Sequence, residues 1–349
     1  MATTRWLVWC FALLPDVATR WSTRSVAAKS GVSDPTILRN RISCGTFPFH
    51  AIEPRPIPAP ALAANRSEVG NILAGNVDRG TVEGFGDEWT RFDQSELDPE
   101  ERRRIFEMYF GIFPWRALAA DAAGFDLGCG SGRWARMVAP RVGTLHCIDP
   151  SSALEVARKN LAECPNCEFH AADADNIPLP DGSMDFGYSL GVLHHVPDTE
   201  RAMKACVSKL KPRAPFLVYL YYAFDNRPVW FRAVWKLSDM VRRVISRMPH
   251  PLRYAFSQVL AVTVYWPFAR FARALESMGV SSRNIPLSAY RDYSFYTMRT
   301  DALDRFGTRL EQRFSRNQIK AMMERSGLVD IAFSEEIPFW CAVGYRSAG

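Results

Sequence analysis

Short apolar segments alternate with segments of helical periodicity between residues 125 and 222, and this alternation constrains the fold more than any other feature. Parallel strands must be joined by long crossovers, so strands that alternate with helices are typical of a parallel sheet covered on both faces. Strand-like segments lie at 125–129, 144–149, 168–172, 185–190 and 216–222, and helical segments at 133–139, 153–162 and 200–210. A helix at 315–326 and closing strands at 329–334 and 339–345 complete a predicted α/β fold with seven mostly parallel strands and helices on both faces.

A glycine-rich loop follows the first of these strands and opens a helix, with Gly128, Gly130 and Gly132 at alternate positions after Asp126. Ligands of open α/β sheets bind beyond the carboxyl ends of the strands, where glycines let the backbone approach them closely. The loop is not a dinucleotide fingerprint, because Arg133 stands where the last glycine would be needed. It also lacks the Gly-Lys pair of a phosphate-binding P-loop. The ligand therefore need not carry a phosphate.

Two carboxylates flank this loop, Asp126 before the glycines and Asp149 at the end of the second strand. A carboxylate before the loop suits a ligand with an ammonium group. Asp149 suits a ribose, because one carboxylate can accept both hydroxyls of a diol. An amino acid joined to a nucleoside has all these groups, and S-adenosylmethionine is such a molecule.

Five motifs occur in one order along the chain: DLGCGSGRWA (126–135), IDPS (148–151), AADADNIPLPDGSMDF (171–186), SLGVLHHVPD (189–198) and LKPRAPFLVY (210–219). In this series the sequence resembles the class I S-adenosylmethionine-dependent methyltransferases, most closely their type 11 branch. The resemblance is close over about 122–222 and looser over 315–346. It implies a Rossmann-like sheet and S-adenosylmethionine as the cofactor.

The resemblance also implies roles for individual residues. Asp126 and the glycines would hold the methionine end, and Asp149 the ribose. The adenine amino group would be held by Asp173 with the backbone of Ala174, and the floor near the sulfonium would be formed by Leu190 and Gly191. One departure lies at 213–214, where the family often has glycines and this chain has Arg-Ala, which affects the turn into the fifth strand.

His194 and His195 follow the fourth strand, near the expected position of the reactive methyl group. Either could act as the general base for a hydroxyl acceptor, with His195 preferred. The alternative is that both belong to a helix start and only pack locally. The sequence therefore predicts methyl transfer to a hydroxyl of a small-molecule, glycan or lipid-linked acceptor.

Aromatic residues precede this domain, and two interpretations of them stay open. Phe85, Trp89 and Phe92 form either a flap over the cofactor or a core beneath the first helix. We expect Asp87 and Glu88, in the same segment, to be solvated.

The helical pattern at 98–113 has its own start signal. Asp98 is the expected N-cap, Pro99 lies in the first turn, and Glu101 occupies the capping-box position.

The chain divides by composition into three parts. These are an N-terminal extension (1–65), a cofactor-binding methyltransferase domain (66–222 plus 315–349) and a helical, basic and aromatic insertion expected to cap the substrate (223–314). The extension includes a proline-rich linker at 53–60. Residues 22–42 resemble a helix-turn-helix, so the alternative function is a DNA-binding regulator with a ligand-sensing methyltransferase-like domain.

The insertion has 15 basic residues and 7 acidic ones. One predicted helix in it has an apolar face, made by Trp230, Val234, Leu237, Val241, Val244 and Met248. This face could pack on the sheet domain, or it could contact a membrane or a lipid-linked acceptor. Farther along, Arg291, Arg299, Arg305 and Arg309 suit an acidic acceptor, although surface salt bridges would explain them equally well.

The positions of the cysteines and the hydropathy of the sequence bear on the cellular location of the protein and on metal binding. The eight cysteines are scattered and several of them lie in apolar runs, as in a protein with reduced thiols. Cys164 and Cys167 form one isolated pair, so we predict no bound metal. No uncharged apolar run reaches the roughly 20 residues that cross a bilayer. We expect a cytoplasmic protein, with peripheral membrane contact as an alternative.

Overall fold

A computed structural model describes residues 75–282 and 284–348. Its centre is a seven-stranded sheet in the order β3-β2-β1-β4-β5-β7-β6. The strands are β1 (Ala123–Leu127), β2 (Thr144–Ile148), β3 (Cys167–His170), β4 (Phe186–Leu190), β5 (Pro215–Tyr219), β6 (Leu328–Phe333) and β7 (Ala342–Arg346). The first five pair in parallel, and β7 is antiparallel to both β5 and β6. The predicted α/β fold with a seven-stranded, mostly parallel, Rossmann-like sheet is confirmed.

Ten α-helices lie in the described residues. They are α1 (Arg79–Arg91), α2 (Pro99–Phe110), α3 (Ala135–Val138), α4 (Ala153–Asn160), α5 (Thr199–Lys209), α6 (Val229–Ile245), α7 (His250–Leu260), α8 (Trp266–Ser277), α9 (Phe295–Gly307) and α10 (Arg316–Arg325). A π-helical turn at Ala261–Tyr265 joins α7 to α8. Helices α6 to α9 all lie between β5 and α10 in the chain.

Two apolar clusters cover the two faces of the sheet, which explains why the strands read as almost uninterrupted apolar runs. Phe125 of β1 and Met203 of α5 belong to the first cluster. Leu145 of β2, Phe110 of α2 and Leu154 of α4 belong to the second. Helices therefore lie on both faces, as predicted.

The sheet reverses its strand order between β1 and β4, because β2 and β3 lie on one side of β1 and β4 and β5 on the other. In open α/β sheets a crevice forms at such a switch point, beyond the carboxyl ends of the strands. The glycine loop follows β1, and the pair His194–His195 follows β4. The topology therefore brings the two motifs to the same crevice.

The predicted N-cap of α2 is confirmed, but the predicted capping box is wrong. Asp98 caps the helix, since its Oδ1 accepts the backbone N–H groups of Glu100 (2.9 Å) and Glu101 (3.0 Å). Glu101, however, does not close a capping box. Its carboxylate instead accepts the backbone N–H of Ser294 (3.1 Å) and the hydroxyl of Thr297 (2.7 Å) at the start of α9. The Glu101 carboxylate therefore accepts hydrogen bonds from the start of α9 and not from the backbone at the start of its own helix.

The insertion does not pack its most apolar stripe on the sheet domain, so this interpretation was wrong. Trp230, Val234, Leu237, Val241 and Val244 of α6 are all exposed. The buried side of α6 instead carries Ile245 with the ion pair of Arg242 and Asp239. Arg242 also donates to the carbonyls of Thr308 (2.9 Å) and Arg309 (3.1 Å), so hydrogen bonds compensate the burial of its charge.

The N-terminal extension (1–65) and its helix-turn-helix prediction (22–42) lie outside the described residues. The division of the chain into three parts stays a prediction. Within residues 75–282 and 284–348, no helix is both long enough and apolar enough to cross a membrane.

Candidate cofactor site and active site

A cavity of about 920 Å³ opens at the switch point between β1 and β4. Most of the predicted site residues border it, namely Gly128, Gly130, Asp149, Asp173, Ala174, Leu190, Gly191 and His195. Asp126, Gly132 and His194 do not border it. This volume includes open solvent at the mouth of the cavity.

At two positions of the loop, the backbone conformation and the neighbouring side chains require glycine. Gly128 has a φ of +78°, and a Cβ there would lie 2.3 Å from Cγ2 of Val192. Gly130 has a φ of +54°, and a Cβ there would lie 2.9 Å from Nε1 of Trp89. Because any larger residue would combine a strained backbone with a collision, the loop forms a bare backbone cradle at the cavity wall.

Asp149 joins this cradle to the end of β2. Its Oδ2 accepts the backbone N–H of Gly130 (2.9 Å), and its Oδ1 accepts the N–H (2.8 Å) and the hydroxyl (2.6 Å) of Ser151. Burial raises the pKa of this carboxyl, and these three hydrogen bonds oppose that shift. The carboxylate is fixed in position and retains lone pairs for a diol.

Asp173 has one oxygen engaged by the protein and one without a partner. Oδ1 accepts the N–H of Asp175 (2.9 Å) and two donors of Asn176 (3.0 and 3.1 Å). Oδ2 is buried and has no hydrogen-bond partner among the described residues, and the same is true of the Ser131 hydroxyl at the cavity wall. Such orphaned groups are costly unless a ligand satisfies them. A free acceptor beside the Ala174 backbone fits an adenine amino group.

Asp126 and Gly132 lie behind the cavity wall. Burial raises the pKa of Asp126 to about 8; the neighbouring Tyr188 hydroxyl lowers it, and the charge of Asp149 adds to the rise. A Cβ on Gly132 would lie 2.8 Å from Cδ1 of Leu161, so this glycine allows the loop to pack on the segment after α4. A direct contact of Asp126 with the methionine end stays a prediction, and the cavity lining does not support it.

The two histidines differ in position. His195 borders the cavity, and its Nδ1 lies 2.6 Å from the carbonyl oxygen of Leu310. That carbonyl can only accept, so Nδ1 carries the proton and Nε2 carries the lone pair. Nε2 is buried and has no partner in the described part of the chain. Burial lowers the pKa of His195 and favours the neutral ring.

His194 is fully buried and stacks on Tyr221, with ring centroids 3.8 Å apart. Burial lowers its pKa well below the usual value, and the neighbouring His195 adds to this. The geometry is that of a packing residue next to the site.

The aromatic segment before α2 is helix α1, and its residues divide between the two interpretations. Phe85 and Trp89 border the cavity, whereas Phe92 packs against Tyr254 and Tyr296 of the insertion.

The expectation of two solvated acids on α1 was wrong. Glu88 is 3% exposed, and burial together with Asp304 and Asp301 raises its pKa well above the usual value. Asp87 is paired with Arg91 (2.9 Å). The segment is helical and is covered by the insertion, which a local pattern could not indicate.

Sequence reasoning missed part of the cavity wall. The start of α1 contributes Val77, Asp78, Thr81 and Val82, and Arg133 follows the last glycine of the loop. Thr81 accepts the backbone N–H of Leu310 (3.2 Å), so α1 and the end of the insertion meet beside the cavity. No motif marks α1. The position of Arg133 directly after the glycines was the only available signal.

Metal-binding residue types occur away from this cavity. His146, Glu168 and His170 place ligand atoms within 4.8 Å of one another, and none of them borders the cavity. The prediction of no bound metal is untested and stays a prediction.

Three comparisons complete the description. The family described as "Methyltransferase domain" matches residues 125–218. A probable tRNA methyltransferase 9B from Mus musculus is 32% identical over 126 residues, which are 35% of this chain and 27% of that protein. A 27-O-demethylrifamycin SV methyltransferase from Amycolatopsis mediterranei is 30% identical over 125 residues, which are 34% of this chain and 45% of that protein.

Among solved structures, phosphoethanolamine N-methyltransferase 2 from Haemonchus contortus, in complex with S-adenosylhomocysteine, has a TM-score of 0.39 and 15% identity. That match covers 73% of this chain and 46% of the other. The chain thus spans less than half of the length of the curated relatives named above.

The family match runs from β1 to β5 and includes Gly128, Gly130, Asp149 and Asp173, which line part of the cavity. Residues 125–218 of this chain therefore match the methyltransferase domain family.

Proposed function

We propose that this protein transfers a methyl group from S-adenosylmethionine to a hydroxyl of a small-molecule, glycan or lipid-linked acceptor. The observation that carries the proposal is that His195 borders the cofactor cavity while its buried Nε2 has no hydrogen-bond partner among the described residues. The named relatives act on different acceptors, including a tRNA and a rifamycin, so the acceptor class is argued from this chain's own residues.

The cavity offers groups for each part of the cofactor. Asp149 would accept the ribose hydroxyls, and the orphaned Oδ2 of Asp173 would accept the adenine amino group. The backbone of Gly128 and Gly130 would lie along the methionine portion, and Leu190 and Gly191 would form the floor. Trp89 covers the loop from the side of α1.

S-adenosylmethionine supplies a methyl group that is already activated by its positive sulfur. The protein must then align the acceptor oxygen with this methyl and remove the hydroxyl proton. The bound cofactor would supply the methyl group, and Nε2 of His195 would accept the proton that the hydroxyl loses. The hydrogen bond from Nδ1 to Leu310 keeps the lone pair on Nε2.

The arginine-rich end of the insertion gives no support to an acidic acceptor. Arg299 is bonded to Gln258 (2.6 Å) and Tyr254 (2.9 Å). Arg305 is paired with Glu311 (2.7 Å), and Arg291 with Glu276 (2.6 Å). Protein groups already satisfy these three side chains, and neither they nor Arg309 border the cavity. The salt-bridge interpretation accounts for them better.

A second candidate acceptor is an amine, and it is favoured by three acids that lie close together without bordering the cavity. Glu88, Asp301 and Asp304 lie close enough together to raise the pKa of Glu88, and burial raises the pKa of Asp301 to about 6. Asp304 in turn accepts the hydroxyl of Tyr221, 2.5 Å away. A cationic acceptor would relieve the repulsion among these acids.

The test uses cofactor labelled in the methyl group and a lysate fractionated into lipids, glycans, small molecules and nucleic acid. We expect one labelled product, which mass spectrometry would assign as O-methyl or N-methyl. His195→Gln should abolish transfer to a hydroxyl, whereas Glu88→Gln should weaken transfer to an amine. The proposal fails if the wild-type protein labels no fraction while binding S-adenosylhomocysteine.

The DNA-binding alternative concerns residues 22–42 and stays a prediction. A gel shift with genomic fragments tests it in the full chain. Helix-turn-helix binding would be indicated by a shift that weakens when Arg39 and Arg41 are changed to Glu. A shift that does not respond to these changes would exclude this segment.

A further inference from the structure

Exposed apolar side chains are concentrated in one part of this molecule. Among the described residues, 18 large hydrophobic side chains are exposed, and 17 of them lie between Val229 and Phe295. Val329 is the remaining one. Single exposed apolar residues are ordinary on protein surfaces, but a contiguous set marks an interaction site.

The exposed residues form rows along the helices. On α6 the row is Trp230, Val234, Leu237, Val241 and Val244, at spacings of three and four. Leu237 is 65% exposed and Val244 is 61% exposed. Along α7, the π-helical turn and α8, a second row follows the same spacing through Leu252, Phe256, Val259, Val262 and Trp266.

Both rows are directed away from the protein interior. Helices α6 and α7 both pack on α9. Ile245 of α6 forms a small core with Met298 of α9 and with Ala261 and Tyr265 of the π-helical turn. The inner face of α6 also holds the Arg242–Asp239 pair. The apolar rows are therefore the outer faces of helices whose inner faces are already packed. We call them together the outer face of the insertion.

Basic side chains line the outer face. Arg232, Lys236 and Arg243 follow one another on α6, spaced four and seven residues apart beside the apolar row, and all are exposed. The side chains of Arg232 and Lys236 have no ion pair or hydrogen bond within residues 75–282 and 284–348. Arg273 on α8 is exposed and equally unpaired in that part of the chain.

Acidic residues are almost absent from the same segment. From residue 226 to 275 the sequence has nine basic residues and one acidic residue, Asp239. Asp239 is buried and is bonded to Arg242 (2.7 Å) and Arg243 (2.9 Å). The outer face therefore combines apolar and aromatic side chains with uncompensated positive charge.

We propose that the outer face of the insertion docks the protein on a membrane surface that contains anionic phospholipid. Helices with an apolar face and a basic edge lie in the plane of the bilayer, with apolar side chains below the phosphates. Basic residues near the surface gain further attraction from anionic headgroups. Trp230 and Trp266 are suited to the headgroup region, because indole rings combine an apolar body with an N–H donor.

Two other occupants fit the charge less well. A second copy of the chain would bring two basic faces together without acidic partners, and like charges across an interface are destabilising. The chain's own residues 1–74 have eight basic residues and four acidic ones, so they also offer no complementary charge. An anionic lipid surface supplies both the apolar medium and the opposite sign.

The test is flotation of the full chain with vesicles of phosphatidylcholine alone or with one quarter phosphatidylglycerol. We expect flotation with the anionic vesicles, weaker flotation with phosphatidylcholine alone, and release by high salt. The apolar variant Leu237→Ser/Val241→Ser/Val244→Ser and the charge variant Arg232→Glu/Lys236→Glu should each weaken partition about tenfold or more. All five side chains are exposed, so both variants should fold.

Control variants carry the same kinds of substitution, apolar to serine and basic to glutamate, at positions outside the outer face. Val329→Ser removes the one exposed large apolar residue outside this region, and Arg116→Glu/Lys159→Glu makes the same charge change at exposed positions. These controls should float like the wild type. Calorimetry with S-adenosylhomocysteine should give one affinity for all variants, which separates this proposal from the proposed catalytic function.

Three results would overturn the proposal. In the first, the wild type stays unbound with anionic vesicles. In the second, the apolar and charge variants float as well as the wild type. In the third, analytical ultracentrifugation would detect a wild-type dimer that the apolar variant dissociates, with no flotation. That result would assign the outer face to contact between copies.

Discussion

Nδ1 of His195 donates a hydrogen bond of 2.6 Å to the carbonyl oxygen of Leu310. The two residues are 115 positions apart, and Leu310 lies at the end of the insertion. The bond fixes the tautomer of the ring and leaves Nε2 without a hydrogen-bond partner among the described residues, in a side chain that borders the cavity. The insertion therefore orients the candidate base and covers α1 as well, so changes in it should affect catalysis.

His195→Gln should lower kcat about 10²- to 10⁴-fold, since a general base typically contributes that much. Cofactor affinity should change little, because the side chains proposed to bind the cofactor are those of Asp149 and Asp173. In the wild type, the rate should rise with pH as His195 loses its proton. Burial lowers the pKa of His195, so the midpoint should lie below 6.5.

The pH–rate profile is the decisive measurement for His195. The variant should lose the acidic limb of this profile, whereas His194→Gln should keep it despite any loss of stability. If both variants had the wild-type profile, neither histidine would be the base.

Asp149→Asn should weaken binding of S-adenosylhomocysteine about tenfold to a hundredfold, because an amide cannot accept from both ribose hydroxyls as a carboxylate does. It also loses part of the set of bonds that holds the backbone of Gly130. Isothermal titration calorimetry measures the affinity. Asp121→Asn, an exposed change of the same kind, is the control. An Asp149 variant that bound within twofold of the wild type would contradict the assignment.

Asp126 should make the ligand-free protein less stable as pH rises. Burial raises its pKa to about 8, against about 3.9 in an unfolded chain. Between these values the folded state holds more protons than the unfolded state, so the free energy of unfolding falls with pH.

Asp126→Asn removes this titration. The stability of the variant relative to the wild type should therefore increase between about pH 6 and pH 8, by up to about 1.4 kcal/mol per pH unit. Urea unfolding at several pH values measures it, with Asp121→Asn as the control. A difference that did not change with pH would place the pKa of Asp126 outside this window.

Arg213→Gly should stabilise the protein by about 0.5–1 kcal/mol, because Arg213 has a φ of +66°, which favours glycine. The change also removes an exposed ion pair with Asp330 (3.0 Å), which contributes little. Arg213→Ala removes the same pair and keeps a Cβ, so it is the matched control. Thermal unfolding should place Gly above Ala. The reverse order would show that the turn tolerates a side chain.

Much of the cofactor site could be predicted because it is local in sequence. The alternation of segments predicted the parallel sheet, and the spacing of Gly128 and Gly130 after β1 predicted a bare backbone at the crevice. Asp149 and Asp173 each follow a strand of the same sheet, so their positions at one edge follow from parallel pairing. The predicted roles of Asp126 and Gly132 rested on the motif alone, which does not distinguish a residue that borders a cavity from one just behind it.

Sequence by itself determined the fold class and the cofactor cradle, since both depend on periodicity and on backbone freedom within short segments. Only the tertiary structure decided the partners of side chains that look alike in isolation. It buried Glu88, directed Glu101 to the start of α9, and turned the apolar row of α6 outward while burying Arg242 and Asp239. A periodic pattern shows that a helix has an apolar face, but which face meets the core depends on the surfaces of elements far away in the chain.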